Sequence, residues 1–176
     1  MENYTKYKLK EHDELEALLA DKDNLFVIAC NKCFKEFVTV DEPDCDEFLE
    51  LAAKQGKTVT GSAKVDFVCN KVQTERKIKD MIPEGTENVV VISCGLGVQT
   101  VAELSGKPTY AAANTLNYTG HHGMALTKKS CDACAQCYLN LTGGICPIVD
   151  CSKSLVNGQC GGAKNGKCEI DPDKDC

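Results

Sequence analysis

The stretch Asn88-Val89-Val90-Val91-Ile92-Ser93-Cys94-Gly95-Leu96-Gly97 decides the fold. Its β-branched core pairs poorly with helix but packs well on a pleated surface. The absence of polar alternation predicts a strand covered on both faces, as in a parallel sheet. A second run of this kind, Asn24-Leu-Phe-Val-Ile-Ala-Cys30, lies upstream. Both runs end in a cysteine.

Working outward, the intervening residues carry helical signals. Glu47 to Gln55 reads as an amphipathic helix, with Asp44 as the predicted cap and Gly56 as the stop. Lys57 to Thr60 reads as a strand. Asn70 to Met81 reads as a charged helix with Val72, Ile78, Met81 and Ile82 on one face and Glu75, Arg76, Lys77, Lys79 and Asp80 solvated, ended by Pro83-Glu84-Gly85. Past Gly97, Val98 to Leu104 reads as a helix closed by Gly106-Lys107-Pro108, and Thr109 to Ala113 as a last strand. At the start, Leu15, Leu18 and Leu19 mark an opening helix over Glu11 to Asp21. Strands alternating with helices at this spacing predict an α/β fold, a parallel sheet of Rossmann or flavodoxin-like type, over residues 1–119.

The remainder, residues 120–176, is of another kind. Asn114 to Ser130 reads as a polar connector containing His121-His122, a solvated pair or a source of one nitrogen ligand. The last 46 residues then hold eight of the 13 cysteines, with one Tyr and no Phe or Trp. An ordinary apolar core cannot hold such a segment, so a group bound by sulfur is expected.

The chain carries 20 basic and 26 acidic residues, a net charge of −6. That balance argues against nucleic acid or an anionic membrane surface as partner. No apolar run approaches the roughly 20 residues of a spanning helix, and Met1-Glu-Asn-Tyr-Thr-Lys6 is too polar for a secretory signal. A cytoplasmic protein is expected, and in that reducing compartment clustered cysteines point to metal or catalysis.

In a doubly wound sheet, ligands gather at the carboxyl ends of the strands. Cys30 and Cys33 follow one strong strand, Cys94 follows the other, and Cys69 ends the apolar patch Val65 to Val68. The four would form one thiolate site for zinc or a four-iron cluster. The bland alternative is that each is a small buried residue, and a CxxC pair is also compatible with a redox dithiol. Gly95-x-Gly97 lacks the third glycine of a dinucleotide fingerprint, since Thr100 stands there. Bare amides approaching thiolate or sulfide explain those glycines better. Cys45 reads as an ordinary thiol.

In the tail, Cys131-x2-Cys134-x2-Cys137 has the spacing that opens a bacterial ferredoxin ligand run, and Cys146-Pro147 echoes its end at a longer gap. Eight thiols make two tetrathiolate sites. The second is drawn from Cys146, Cys151, Cys160, Cys168 and Cys176 less one, with iron–sulfur and zinc both open. Asn157-Gly158, Gly161-Gly162 and Asn165-Gly166 supply turns and bare amides.

Cys131-x2-Cys-x2-Cys137-Tyr-Leu-x2-Thr142-Gly-Gly-Ile-Cys-Pro147, then Cys151-x-Lys153-x-Leu155-x-Asn157-Gly-x-Cys160-Gly-Gly, then Asn165-Gly-Lys-Cys-Glu169 and Asp175-Cys176 resemble the methylenetetrahydrofolate reductase C-terminal family. The front domain is similar to that family more loosely, at Cys30-x2-Cys33, Cys69 and Cys94-Gly-x-Gly-Val-Gln-Thr-Val101. It departs in having no glycine between Phe34 and Cys45.

The resemblance implies a small subunit of the reductase complex of acetogens and related anaerobes. It would relay electrons through two or three [4Fe-4S] clusters, zinc being open at one site, to the flavin of a partner that makes methyltetrahydrofolate in the Wood-Ljungdahl pathway. The electron donor would be a ferredoxin or a further redox subunit. No residue of this chain is expected to be catalytic, since it is far shorter than the roughly 250 residues of a barrel reductase. The alternative is a zinc-stabilised docking subunit without a redox role. A module handling methyl groups or corrinoids ranks behind both.

Overall fold

The computed structural model describes residues 5–31, 45–118 and 130–176. Cys33, Asp44, His121 and His122 lie outside the described residues. In chain order the elements are β1 (Thr5–Leu9), α1 (His12–Leu19), β2 (Leu25–Cys30), α2 (Cys45–Lys54), β3 (Val59–Val65), α3 (Lys71–Met81), β4 (Asn88–Ile92), α4 (Gly95–Ser105), β5 (Thr109–Ala111) and β6 (Ala113–Tyr118). A 3-10 turn over Leu139–Leu141 and the short α5 (Pro147–Asp150) follow.

The fold is mixed α/β, built on a four-stranded parallel sheet of order β3-β2-β4-β5. Both apolar runs became its central strands, β2 and β4, paired in register from Leu25 with Asn88 to Ala29 with Ile92. Alternation along them feeds two layers. Leu25, Val27, Val90 and Ile92 meet Leu15, Leu19, Phe48 and Leu51 from α1 and α2. Phe26, Ile28, Val89 and Val91 meet Ile78, Val98 and Val101 from α3 and α4. Covering on both faces is why the two strands lack polar residues.

Numbered within the sheet, the strands run 2-1-3-4, so the chain reverses direction across the β2/β4 boundary. The carboxyl ends of these neighbours form a topological switch point, where such sheets bind ligands. Cys30 ends β2, and Cys94 is the N-cap of α4 just past β4.

Several expectations are corrected. The strand expected at Lys57 to Thr60 runs from Val59 to Val65, because Val59 and then Gly61 to Val65 pair with β2 across a register shift at Thr60. On α3, Val72 and Met81 are exposed, and the buried face is Thr74 and Ile78. Thr74 Oγ1 donates to Val68 O at 2.9 Å, which turns that polar residue inward. The helix expected from Val98 begins at Gly95. The connector expected from Asn114 begins with a strand: Ala113–Tyr118 pairs antiparallel with Thr5–Leu9. Polar alternation hid both strands, since only one face of this ribbon is covered.

The tail continues the packing instead of standing off. Leu139 is 2% exposed in the α3/α4 layer. Asn140 covers the sheet's edge like one more strand residue: its Nδ2 donates to Ala111 O at 2.9 Å, and its Oδ1 accepts the Ala111 N–H. Gly144, at φ +87°, passes so near α4 that a β-carbon would lie 2.3 Å from that of Ala102.

Candidate metal centre

The Cys131–Cys137 run is threaded over the amino end of α4. Gln99, 1% exposed, donates from Nε2 to Ser130 O at 2.7 Å and to Gly95 O at 3.1 Å, which ties the start of the run to the first turn of the helix. The Ala135 N–H donates to Thr115 O at 3.1 Å, and the Cys137 N–H to Asn114 Oδ1 at 3.0 Å, so β6 holds the far side. Between these anchors Ala133 and Ala135 adopt positive φ, 49° and 58°. Alanine rarely takes this conformation, and here the flanking hydrogen bonds impose it.

The result is a hollow lined by Cys131, Cys134, Cys137 and Cys146 together with Gly95, Gln99 and Thr115. Cys146 joins because Pro147 at the first helical position starts α5 immediately after it. The N–H groups of Val149 and Ile148 then turn back onto the Cys146 sulfur. The Cys137 sulfur takes the Leu139 N–H. Of the five cysteines open to the second tail site, Cys146 is thus placed with the first group.

Burial dominates the electrostatics of these thiols. It pushes Cys137 up to about 11, against the pull of the Leu139 N–H and of the Lys10 ammonium. It also raises Cys146, with Cys131 and Cys134 adding like-charge repulsion. Two thiols that resist ionisation alone, Cys137 and Cys146, yet receive backbone N–H donors and share a hollow with Cys131 and Cys134, suit a multiply charged cation that takes sulfur as thiolate. An all-sulfur set is the chemistry of zinc or an iron–sulfur cluster. Among the described residues no three His, Cys, Asp or Glu side chains are drawn into ligating range. The sulfurs line the hollow without closing on one point.

Gly95 and Gly97 serve other ends than bare amides near sulfur. The Gly95 N–H donates to Thr115 Oγ1 at 2.8 Å. What the glycine offers the thiols is its missing side chain, since a β-carbon there would lie 3.1 Å from Cys131 Sγ. At Gly97 a β-carbon would stand 2.4 Å from Ser93 Oγ, a matter of helix against strand.

The second tail group is built from turns, with Cys151, Cys160 and Cys168 half-buried and Cys176 exposed. The Cys151 sulfur accepts the Leu155 and Lys153 N–H groups, which lower it; Lys153 N lies 3.4 Å away. Cys168 is lowered in the same way by the Asp171 and Ile170 N–H groups, and Ser152 Oγ lies 3.9 Å from its sulfur. The thiol of Cys160 faces the Glu169 carboxylate at 3.6 Å, and the Cys176 N–H donates to Gly166 O at 2.7 Å. Asn165 and Gly166 both take positive φ in a two-residue turn between the bridged Lys164 and Lys167. This is the turn expected of Asn165-Gly166.

At the sheet's carboxyl edge, Cys30, Cys69 and Cys94 all pack into the α1/α2 layer. Cys45, 3% exposed at the start of α2, lies in that layer too. Sequence spacing set Cys45 apart from the other three, and only the return of α2 to the sheet brings it into the same layer.

Residues 110–176 match the family model described as Methylene-tetrahydrofolate reductase C terminal. The family resemblance of the cysteine signature is borne out. The matched region opens inside β5, so it takes in Asn114 and Thr115, the residues that hold Cys137 and Gly95. No curated protein and no solved structure matches the chain. Among the described residues no helix is long and apolar enough to cross a membrane.

Proposed function

We propose that this chain is the electron-relay subunit of a methylenetetrahydrofolate reductase complex, passing electrons to the flavin of a partner subunit that reduces methylenetetrahydrofolate to methyltetrahydrofolate. The observation that carries this reading is the hollow at the amino end of α4 lined by Cys131, Cys134, Cys137 and Cys146, four residues inside the region matched by the reductase family. A thiolate-held [4Fe-4S] cluster supplies one-electron chemistry, which divides a two-electron flavin reduction into single steps.

The chain's own residues supply position and electrostatics. Cys131, Cys134, Cys137 and Cys146 hold the first group, and Cys151, Cys160, Cys168 and Cys176 the second. Cys30, Cys69 and Cys94 at the carboxyl edge of a flavodoxin-like sheet, together with Cys33, would hold the third. Backbone N–H groups of Leu139, Ile148 and Val149 stabilise negative sulfur and so favour the reduced state. The donor to the chain is a ferredoxin or a further redox subunit.

The second group also supports a zinc reading. Its sulfurs sit in turns that would fold a module of little apolar content around a redox-silent ion, and in that case it stiffens the docking surface. Anaerobic purification separates the readings. The relay requires a brown chain with about eight or twelve iron and equal acid-labile sulfide, four per cluster. In rapid mixing with the flavoprotein, Cys134→Ala should then slow flavin reduction. A colourless chain with zinc and no sulfide overturns the relay.

A further inference from the structure

A lysine is buried beside the first thiol group, and the cysteine motifs do not account for it. Lys10, between β1 and α1, is 3% exposed, its backbone N–H pinned to Ala112 O at 3.0 Å. Its Nζ donates to the Glu14 carboxylate and, at 3.0 Å, to Asn114 Oδ1. That same oxygen accepts the Cys137 N–H at 3.0 Å. The ammonium and the amide of a thiol-bearing residue thus converge on one side-chain oxygen.

We infer that Lys10 is a positioning residue of the first group, a fixed buried cation that, through Asn114, favours negative charge on the sulfurs of Cys131, Cys134, Cys137 and Cys146 and so raises the potential at which that group accepts an electron. The inference rests on the relay reading. Burying an ammonium is unfavourable unless something negative repays it. Glu14 does so only in part: its side chain is 49% exposed, so water and salt screen its charge, whereas the Lys10 side chain is 1% exposed. The field toward the protein interior stays positive, and Cys137 lies within its reach. Adding an electron to a site already bearing four thiolates increases its negative charge by one. A nearby cation in a poorly screened interior stabilises that reduced form more than the oxidised one.

The test is a midpoint titration followed by electron paramagnetic resonance on the anaerobically purified full chain. The signal read is the one perturbed by Cys134→Ser, and iron and sulfide are counted in every sample. Lys10→Met should keep its iron and lower that midpoint, a tenfold shift in the one-electron equilibrium being about 59 mV. Lys10→Gln, which keeps a donor for Asn114, carries the same expectation. Lys10→Arg should restore the original value. Lys8→Met removes the same formal charge from an exposed side chain, 66% accessible, and should leave the midpoint unmoved. An unmoved midpoint in Lys10→Met and Lys10→Gln at full iron content overturns the inference and leaves the relay standing. An equal shift in Lys8→Met also overturns it, since net charge alone would then suffice. An unsubstituted chain without iron overturns the relay and this inference together.

Discussion

Gly95 stands against Cys131: a β-carbon built on the glycine would lie 3.1 Å from the cysteine's sulfur. The first turn of α4 therefore forms one wall of the thiol hollow, and its positive end faces a sulfur. Glycine is the poorer helix former, so it is not there for the helix. Gly95→Ala should fold at least as stably as the parent and bind the first group's metal more weakly, as read by chelator competition. Gly95→Val should lose that metal. Full retention in the valine variant would show that the hollow does not need this wall.

Asn140 ties the tail to β5 by both of its amide atoms. Ala111 is fully buried, so Asn140→Ala strands a buried N–H and a buried C=O, each costing about 1–3 kcal/mol. Denaturant unfolding should show a loss of at least about 2 kcal/mol, with Leu139 released from the core. A change within about 0.5 kcal/mol, the scale of ordinary surface substitutions, would mean that the contact does not hold the tail down.

At Gly97 the obstacle is Ser93. An alanine β-carbon would fall 2.4 Å from Ser93 Oγ and 3.3 Å from Val68 Cγ1. Gly97→Ala should destabilise the chain by about 1–3 kcal/mol, as overpacking does. Adding Ser93→Gly should recover most of that loss. Thermal unfolding of the single and double variants decides it, and no recovery would move the cause to Val68.

The two tail groups should differ in thiol reactivity. Burial holds Cys137 at about 11 and raises Cys146, whereas N–H donors lower Cys151 and Cys168. Thiolate is the reacting form, so at about pH 8 a lowered thiol is ionised more and a raised one less. In the chelator-treated chain, mass-spectrometric mapping of iodoacetamide labelling should find Cys151 and Cys168 modified first, and Cys137 last as the pH rises toward 11. Equal rates at Cys137 and Cys151 would contradict the burial of the Cys137 thiol.

Much of the fold was legible because its signals are local. The runs ending at Cys30 and Ser93 became the paired central strands, and Asn70 caps α3 by accepting the Gln73 N–H at 3.1 Å. The β1/β6 ribbon was not legible, since neither strand alone is apolar enough to mark itself and each is defined by the other. Val72 was misplaced for a similar reason. Its helix docks through a threonine hydrogen bond, which apolar periodicity cannot register.

By itself the sequence determined the α/β class, the concentration of cysteines in the tail and the family to which that tail is similar. All three rest on residue type and spacing along the chain, which are local quantities. Tertiary structure alone decided that Cys146 lines the hollow with Cys131, Cys134 and Cys137, that Gly95 forms its wall, and that Lys10 meets Cys137 across Asn114. These are contacts between residues separated by as much as the 104 positions from Lys10 to Asn114. They exist only because the sheet brings α4, β6 and the N-terminal segment to one edge, and no spacing in the sequence encodes that meeting.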